Sequence, residues 1–158
     1  MLSARLRARL LTYHSLLLAH LDRMEDALPV RGDLTDLDLR LEPEVQRVIL
    51  DTLEFLERWE AQHELEEERL LIPLLQELET KENETLREVL EEVHRQHVLG
   101  GELLKEFRGM CSWCKAGPLQ EGINVKPALV EAAHRLIDHY RGHAALENER
   151  LLSLLEDA

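Results

Sequence analysis

Apolar residues return along this chain at alternating intervals of three and four, the period of an amphipathic helix. Four such stretches occur, each bounded by turn-forming residues. The first, from about Ser3 to Leu28, closes at Pro29 and carries the stripe Leu6, Leu10, His14, Leu17, Leu21, Met24 and Leu28. A polar loop from Arg31 to Glu42 leads to Pro43, a residue suited to the first turn of a helix. The second stretch continues to about Glu79, with a kink at Pro73, and reads Leu53, Leu56, Trp59, His63, Glu67, Leu70, Leu74. Residues 80–83 form a short turn, which makes the second and third helices antiparallel neighbours. The third helix spans about Glu84 to Arg108 with Leu86, Leu90, Val93, His97, Gly100, Leu104 and Phe107 inward. Gly109, Gly117, Pro118 and Gly122 mark the third loop. Pro127 opens a fourth helix that lasts almost to Ala158, with the stripe Leu129, Ala133, Leu136, Tyr140, His143, Glu147, Leu151, Leu154. The pattern predicts an all-α fold in one domain over residues 1–158, an antiparallel up-down-up-down four-helix bundle.

Composition narrows the function classes. Aromatic residues make up only 4% of the 158 residues, and no run rich in Val, Ile and Thr suggests a sandwich or a doubly wound sheet. A formal charge of −13 repels phosphate backbones and anionic lipid, so neither nucleic acid nor a membrane surface is expected as a partner. No apolar run approaches the roughly 20 residues of a membrane span. The Arg-containing start is broken by Tyr13, His14, Ser15 and His20, unlike a signal peptide. With two cysteines the chain is no disulfide scaffold, and a cytoplasmic location is expected.

Every stripe is apolar except near its middle, where a histidine interrupts it. On the second and fourth helices a glutamate follows one turn later. A single buried histidine is ordinary core, but an unpaired carboxylate in an apolar core costs several kcal/mol or stays protonated. Four imidazoles and two carboxylates on facing stripes require a common partner, and a cluster of divalent or trivalent cations supplies one. The heights agree: at about 1.5 Å per residue, His14, His63, His97 and His143 all fall near mid-bundle. His-x-x-x-Glu places both side chains on one helical face, so that the imidazole can hold one ion while the carboxylate reaches a second.

The other histidines test this selection. His20, His94 and His134 fall beside the stripes and read as solvated surface groups, whereas His139, one turn before His143, reads as an outer group or a further ligand. Tyr13, Tyr140 and Trp59 lie near the centre and read as packing. Glu-x-x-His, the di-iron motif of ferritin-like bundles, occurs at Glu60/His63, Glu91/His94 and Glu131/His134. Of these residues only His63 falls cleanly inward, so facing excludes that architecture. Cys111-Ser112-Trp113-Cys114 in the third loop is a candidate redox pair or half of a zinc site, against plain reduced thiols.

Across essentially its whole length the chain resembles the hemerythrin-like, or HHE cation-binding, family. Residues 63–73, HELEEERLLIP, are similar to that family's second-helix signature, with Glu64 where many relatives carry a second histidine. Residues 143–152, HAALENERLL, are similar to the fourth-helix version. Gln96-His97 followed by Gly100 is similar to the third-helix pattern, and His14 to the lone first-helix histidine. The resemblance implies two non-haem irons, with His14, His63, His97 and His143 as terminal ligands, Glu67 and Glu147 bridging, and Glu64 as an additional ligand. Imidazole with carboxylate suits iron first, with manganese or zinc as alternatives. Oxygen carriers of the family place two histidines four apart on the third helix, whereas His97 has Val93 and Gly101 at that spacing; they also have Asp where this chain has Asn148. The departures point away from oxygen carriage and toward stress response, sensing of oxygen, peroxide or nitric oxide, or iron handling. The implied ligand is a small diatomic or peroxide. Enzyme activity, and a homodimer or other protein partner, remain open on this reading.

Overall fold

The computed structural model describes residues 2–30, 39–73, 84–115 and 121–154. Four long helical rods dominate them: α1 (Leu2–Ala27), α2 (residues 43–73), α3 (Glu84–Met110) and α4 (residues 127–154). The molecule is mostly helical, as its apolar spacing predicts. The loop glycine and proline at 117 and 118, the turn at 80–83, Leu74 and the final residues of the second and fourth helices lie outside the described residues, as does the Cys114 side chain.

α2 and α4 begin alike. Each is preceded by an extended residue, Glu42 or Lys126, and has Pro at its first turn, where the missing N–H removes nothing from the helix. Just upstream the two loops pair as an antiparallel ribbon, β1 (Leu39–Leu41) with β2 (Ile123–Val125), Arg40 opposite Asn124. This ribbon corrects the expectation of a plain polar loop before Pro43. Leu41 and Val125 turn inward and are buried, so three-residue strands suffice to close that end of the molecule. Gly122 lies beside it at φ 90°, and an added Cβ would strike the Arg40 guanidinium.

α2 and α4 are not uniform α-helices. α2 contains two π turns, Leu56–Glu60 and Glu67–Leu71, and α4 contains one, Glu147–Leu151. A π turn inserts an extra residue and shifts the inward face by about one position. In α2 the effect is visible twice. Trp59 is 42% exposed while Glu60 is buried at 5%, and Leu70 is 44% exposed while Leu71 is fully buried. Both outcomes correct the simple stripe, which put Trp59 and Leu70 inside.

The apolar core is divided. Leu6, Leu10, Leu71, Leu86, Val89, Val93, Leu151 and Leu152 form one cluster. A larger one includes Leu17, Leu21, Leu53, Leu56, Phe107, Leu136 and Ile137. The histidine and glutamate positions lie between them on every rod, so water is excluded above and below the polar layer. Surface ion pairs link the rods, including Arg141 with Asp22 and Glu25 at 2.6 and 2.7 Å and Arg108 with Glu57 at 3.1 Å. Such exposed pairs contribute little beyond orientation.

Candidate metal centre

One layer of the bundle brings together His14 from α1, His63 and Glu67 from α2, His97 from α3, and His143 and Glu147 from α4, all buried. The imidazole centroids of His14, His97 and His143 lie 5.3, 6.5 and 6.2 Å from that of His63. The four histidines therefore share one height, as their positions along the helices predict. Each presents Nε2 to the carboxylates. Glu147 Oε2 is 2.8 Å from His14 and 3.2 Å from His63, and Glu147 Oε1 is 2.9 Å from His143 and 3.7 Å from His97. Glu67 lies 3.1 Å from His97 and 3.7 Å from His63.

Most of these approaches are not hydrogen bonds. Both Glu67 oxygens, Glu147 Oε1, and Nε2 of His97 and His143 are buried without a hydrogen-bond partner. Buried polar groups in folded proteins are otherwise almost always satisfied. Atoms that crowd within about 3 Å yet fail to bond one another are arranged around a point. Donor atoms held about 2.1 Å from one ion, at right angles, lie roughly 3 Å apart, which matches this spacing. His63, Glu67, His143 and Glu147 bring one donor atom each within 4.8 Å of the others and could hold a metal ion. His14 and His97 flank that group from the remaining two helices.

The electrostatics of the metal-free layer follow from burial and proximity. Burial raises the Glu147 carboxyl, but contacts with His14, His143, His63 and His97 outweigh it and hold the group well below the usual carboxylate range. Glu67 moves the other way, raised by burial and then by the negative Glu147, with His97 opposing. Burial pulls His63 down, yet Glu147 and Glu67 bring it up to about 9. His97, under the same opposing influences, reaches about 10. Protonated imidazoles therefore supply, without metal, part of the positive charge the carboxylates require.

Neighbouring polar residues fix the ring orientations. His14 Nδ1 lies 2.7 Å from Asn148 Oδ1 and donates to it, which turns Nε2 toward Glu147. His143 Nδ1 lies 3.2 Å from Gln96 Oε1, while the Gln96 amide donates to Glu92 at 2.9 Å. Outer partners of this kind set tautomer and basicity in histidine metal sites. Neither Asn148 nor Gln96 was singled out from the sequence as such a partner. Their signal is position: each is adjacent in sequence to a site residue, Glu147 or His97.

Other expectations meet different outcomes. Glu64 is half-buried beside the centre, its carboxyl raised by burial against the opposing His97, and stands outside the convergent set. His139 is half-buried, its Nε2 3.0 Å from the backbone oxygen of Gln96. His94 is exposed as expected. His134 is not: it is buried and donates to the Pro29 carbonyl at 3.0 Å, anchoring the end of α1. His20 is half-buried and stacked on Phe55 at 4.3 Å rather than fully solvated. Glu60, placed on a flank by sequence facing, is carried inward by the first π turn and accepts a hydrogen bond from the Tyr13 hydroxyl. Tyr13 in turn stacks on His63 at 4.1 Å. The thiol of Cys111 is buried.

A groove of about 340 Å³ between α1 and α2 opens beside Leu16 and Trp59 and reaches Tyr13 and His63. Among the described residues no helix is long and apolar enough to cross a membrane. No family model matches the chain, and neither a curated protein nor a solved structure matches it.

Proposed function

We propose that the protein is a non-haem di-iron protein of the hemerythrin-like class, which binds or senses a small oxidant or handles iron in a stress response. One observation carries the reading: six buried imidazole and carboxylate side chains from four helices converge, and five of their donor atoms lack any other partner. His14, His63, His97 and His143 would be terminal ligands, and Glu67 and Glu147 the carboxylates shared between two ions. Bound iron supplies a redox-active Lewis acid to which oxygen, peroxide or nitric oxide can coordinate. Manganese and zinc are the alternative ions for the same donors.

The chain's own residues do the rest. Asn148 and Gln96 hold the rings of His14 and His143 in register. The two hydrophobic clusters keep bulk water from the layer, which strengthens every charge interaction within it. The groove between α1 and α2 offers a small molecule a path to His63. Cytoplasmic residence belongs to the same reading.

Elemental analysis with an absorption spectrum, taken before and after exposure to oxygen, tests it. The expected result is about two irons per chain and a visible band that changes with oxygen. Less than one equivalent of transition metal, with melting unaffected by chelator, would overturn it in favour of a polar layer that only fixes helix pairing. Sustained turnover of peroxide or nitric oxide would make the same centre an oxidoreductase.

A further inference from the structure

Three aromatic rings join the histidine layer to the surface between α1 and α2. Tyr13 stacks on His63 at 4.1 Å, Phe55 on Tyr13 at 5.9 Å and Trp59 on Phe55 at 6.0 Å, with interplanar angles of 23°, 13° and 18°. Near-parallel rings at these separations are in offset stacking contact, so the four rings form one continuous column. At its inner end His63 turns Nε2 toward Glu147. At its outer end Trp59, 42% exposed, lines the groove of about 340 Å³ with Leu16. The chain has only two tyrosines, two phenylalanines and two tryptophans, and one of each stands here. Plain packing calls neither for an indole so far in water nor for a tyrosine bonded to a buried carboxylate. The first π turn of α2 produces both, turning Trp59 out and Glu60 in, where Glu60 accepts the Tyr13 hydrogen bond. A tyrosine gives up an electron readily only when its proton can leave at the same time, and Glu60 is placed to take it.

We propose that this column carries single electrons from a small phenolic reductant at Trp59 to the metal layer, supplying repeated reduction of peroxide there. The inference rests on the iron reading above. Electron transfer weakens steeply with the gap it must cross, and stacked rings divide one long gap into short ones. Tyr13 passes an electron inward through the His63 ring while its hydroxyl proton moves to Glu60. Trp59 then refills Tyr13 across Phe55, and the proton returns from Glu60. Phe55 is not itself oxidised; it fills the space between two rings that are. Trp59 is restored by a phenol, which loses one electron and one proton and leaves as a phenoxyl radical. Two such passages deliver the two electrons, and two phenols the two protons, that turn one hydrogen peroxide into two waters. A neutral phenol suits the outer end: the formal charge of −13 disfavours anionic reductants, and Leu16 and Trp59 offer an aromatic ring an apolar seat.

The test compares the iron-loaded full chain with Trp59→Phe, an exposed position outside the ligand set, using hydrogen peroxide and guaiacol as the phenol. Iron content is measured first. The expected result is equal iron in both proteins and guaiacol oxidation about tenfold slower in the variant. Without guaiacol, samples frozen during the reaction should show an indole radical by electron paramagnetic resonance in the parent and a phenoxyl radical in Trp59→Phe. Peptide mass spectrometry of the parent should find oxygen added at Trp59 and not at Trp113, which packs beside the ribbon. Tyr13→Phe keeps a ring in the stack but has no proton to give, and should abolish the Trp59 oxidation at equal iron. An unchanged guaiacol rate and radical spectrum in Trp59→Phe overturn the proposal, as does Trp59 oxidation that persists in Tyr13→Phe. Equal oxidation of both tryptophans also overturns it, by showing a freely diffusing oxidant. A parent that holds iron yet forms no organic radical overturns the column alone, whereas a parent that binds no metal overturns the metal reading with it.

Discussion

Glu147 touches four imidazoles, one from each helix position in the layer, and Glu67 faces it from α2 with neither oxygen satisfied. The asymmetry suggests different sensitivities. Replacing Glu67 with Ala should lose at least one metal per chain by elemental analysis; full occupancy would remove its bridging role. Proton linkage offers a second check. His63 and His97 stand near 9 and 10 in the folded, metal-free chain, above the usual 6.5 of an unfolded histidine. Their stabilising contribution is therefore complete below about pH 6.5 and lost as pH rises through about 9 and 10. The lowered Glu147 contributes above its unfolded value and stays constant across that window. Melting of the metal-free protein should fall from pH 6.5 to 10, while the metal-loaded form, whose ligands must be deprotonated, should lack this fall. A flat metal-free profile would contradict the charge arrangement. At this scale the sequence was informative for the histidines, because an imidazole in an apolar stripe is conspicuous. It placed Asn148 and Gln96 within the family resemblance but not as partners of the rings, because a polar residue on a polar flank looks the same whether it meets water or a ligand ring.

The π turns explain where periodicity succeeded and where it slipped. At about 100° per residue an unbroken α-helix carries Leu70 back beneath His63, and puts Leu71 well off that face. The turn beginning at Glu67 reverses the two. α4 has the same device beginning at Glu147, but there the competing position is Arg150, so Leu151 was the only apolar choice and the stripe came out right. α2 offers two leucines, and the pattern could not discriminate between them. The same phase shift hid Glu60 behind Trp59. The ribbon escaped notice for another reason: three residues are too few for an alternating pattern to register. A pair of substitutions tests the phase. Leu71→Asp buries a carboxylate in the smaller apolar cluster and should cost about 3 kcal/mol or more in denaturant unfolding, whereas Leu70→Asp should stay within about 1 kcal/mol. Equal costs would mean that α2 is an ordinary α-helix here. Both π turns that follow a histidine start at a candidate bridging glutamate, in keeping with the enrichment of π bulges at functional sites.

Across the whole molecule, two apolar clusters enclose one polar layer, and the layer is the part whose cost is otherwise unaccounted for. The all-α character and the common height of the four histidines were both legible from spacing, since helix rise converts sequence position directly into height. What the layer holds is a separate matter, and ligand chemistry rather than fold decides it. The most direct measurement is anomalous diffraction, at the iron edge, from crystals of the protein grown with ferrous iron. The account predicts two strong peaks between the Nε2 atoms of His14, His63, His97 and His143 and the carboxylates of Glu67 and Glu147, each within about 2.3 Å of its donors. No peak among those six side chains, at full iron supply and with their rings as described, would contradict it.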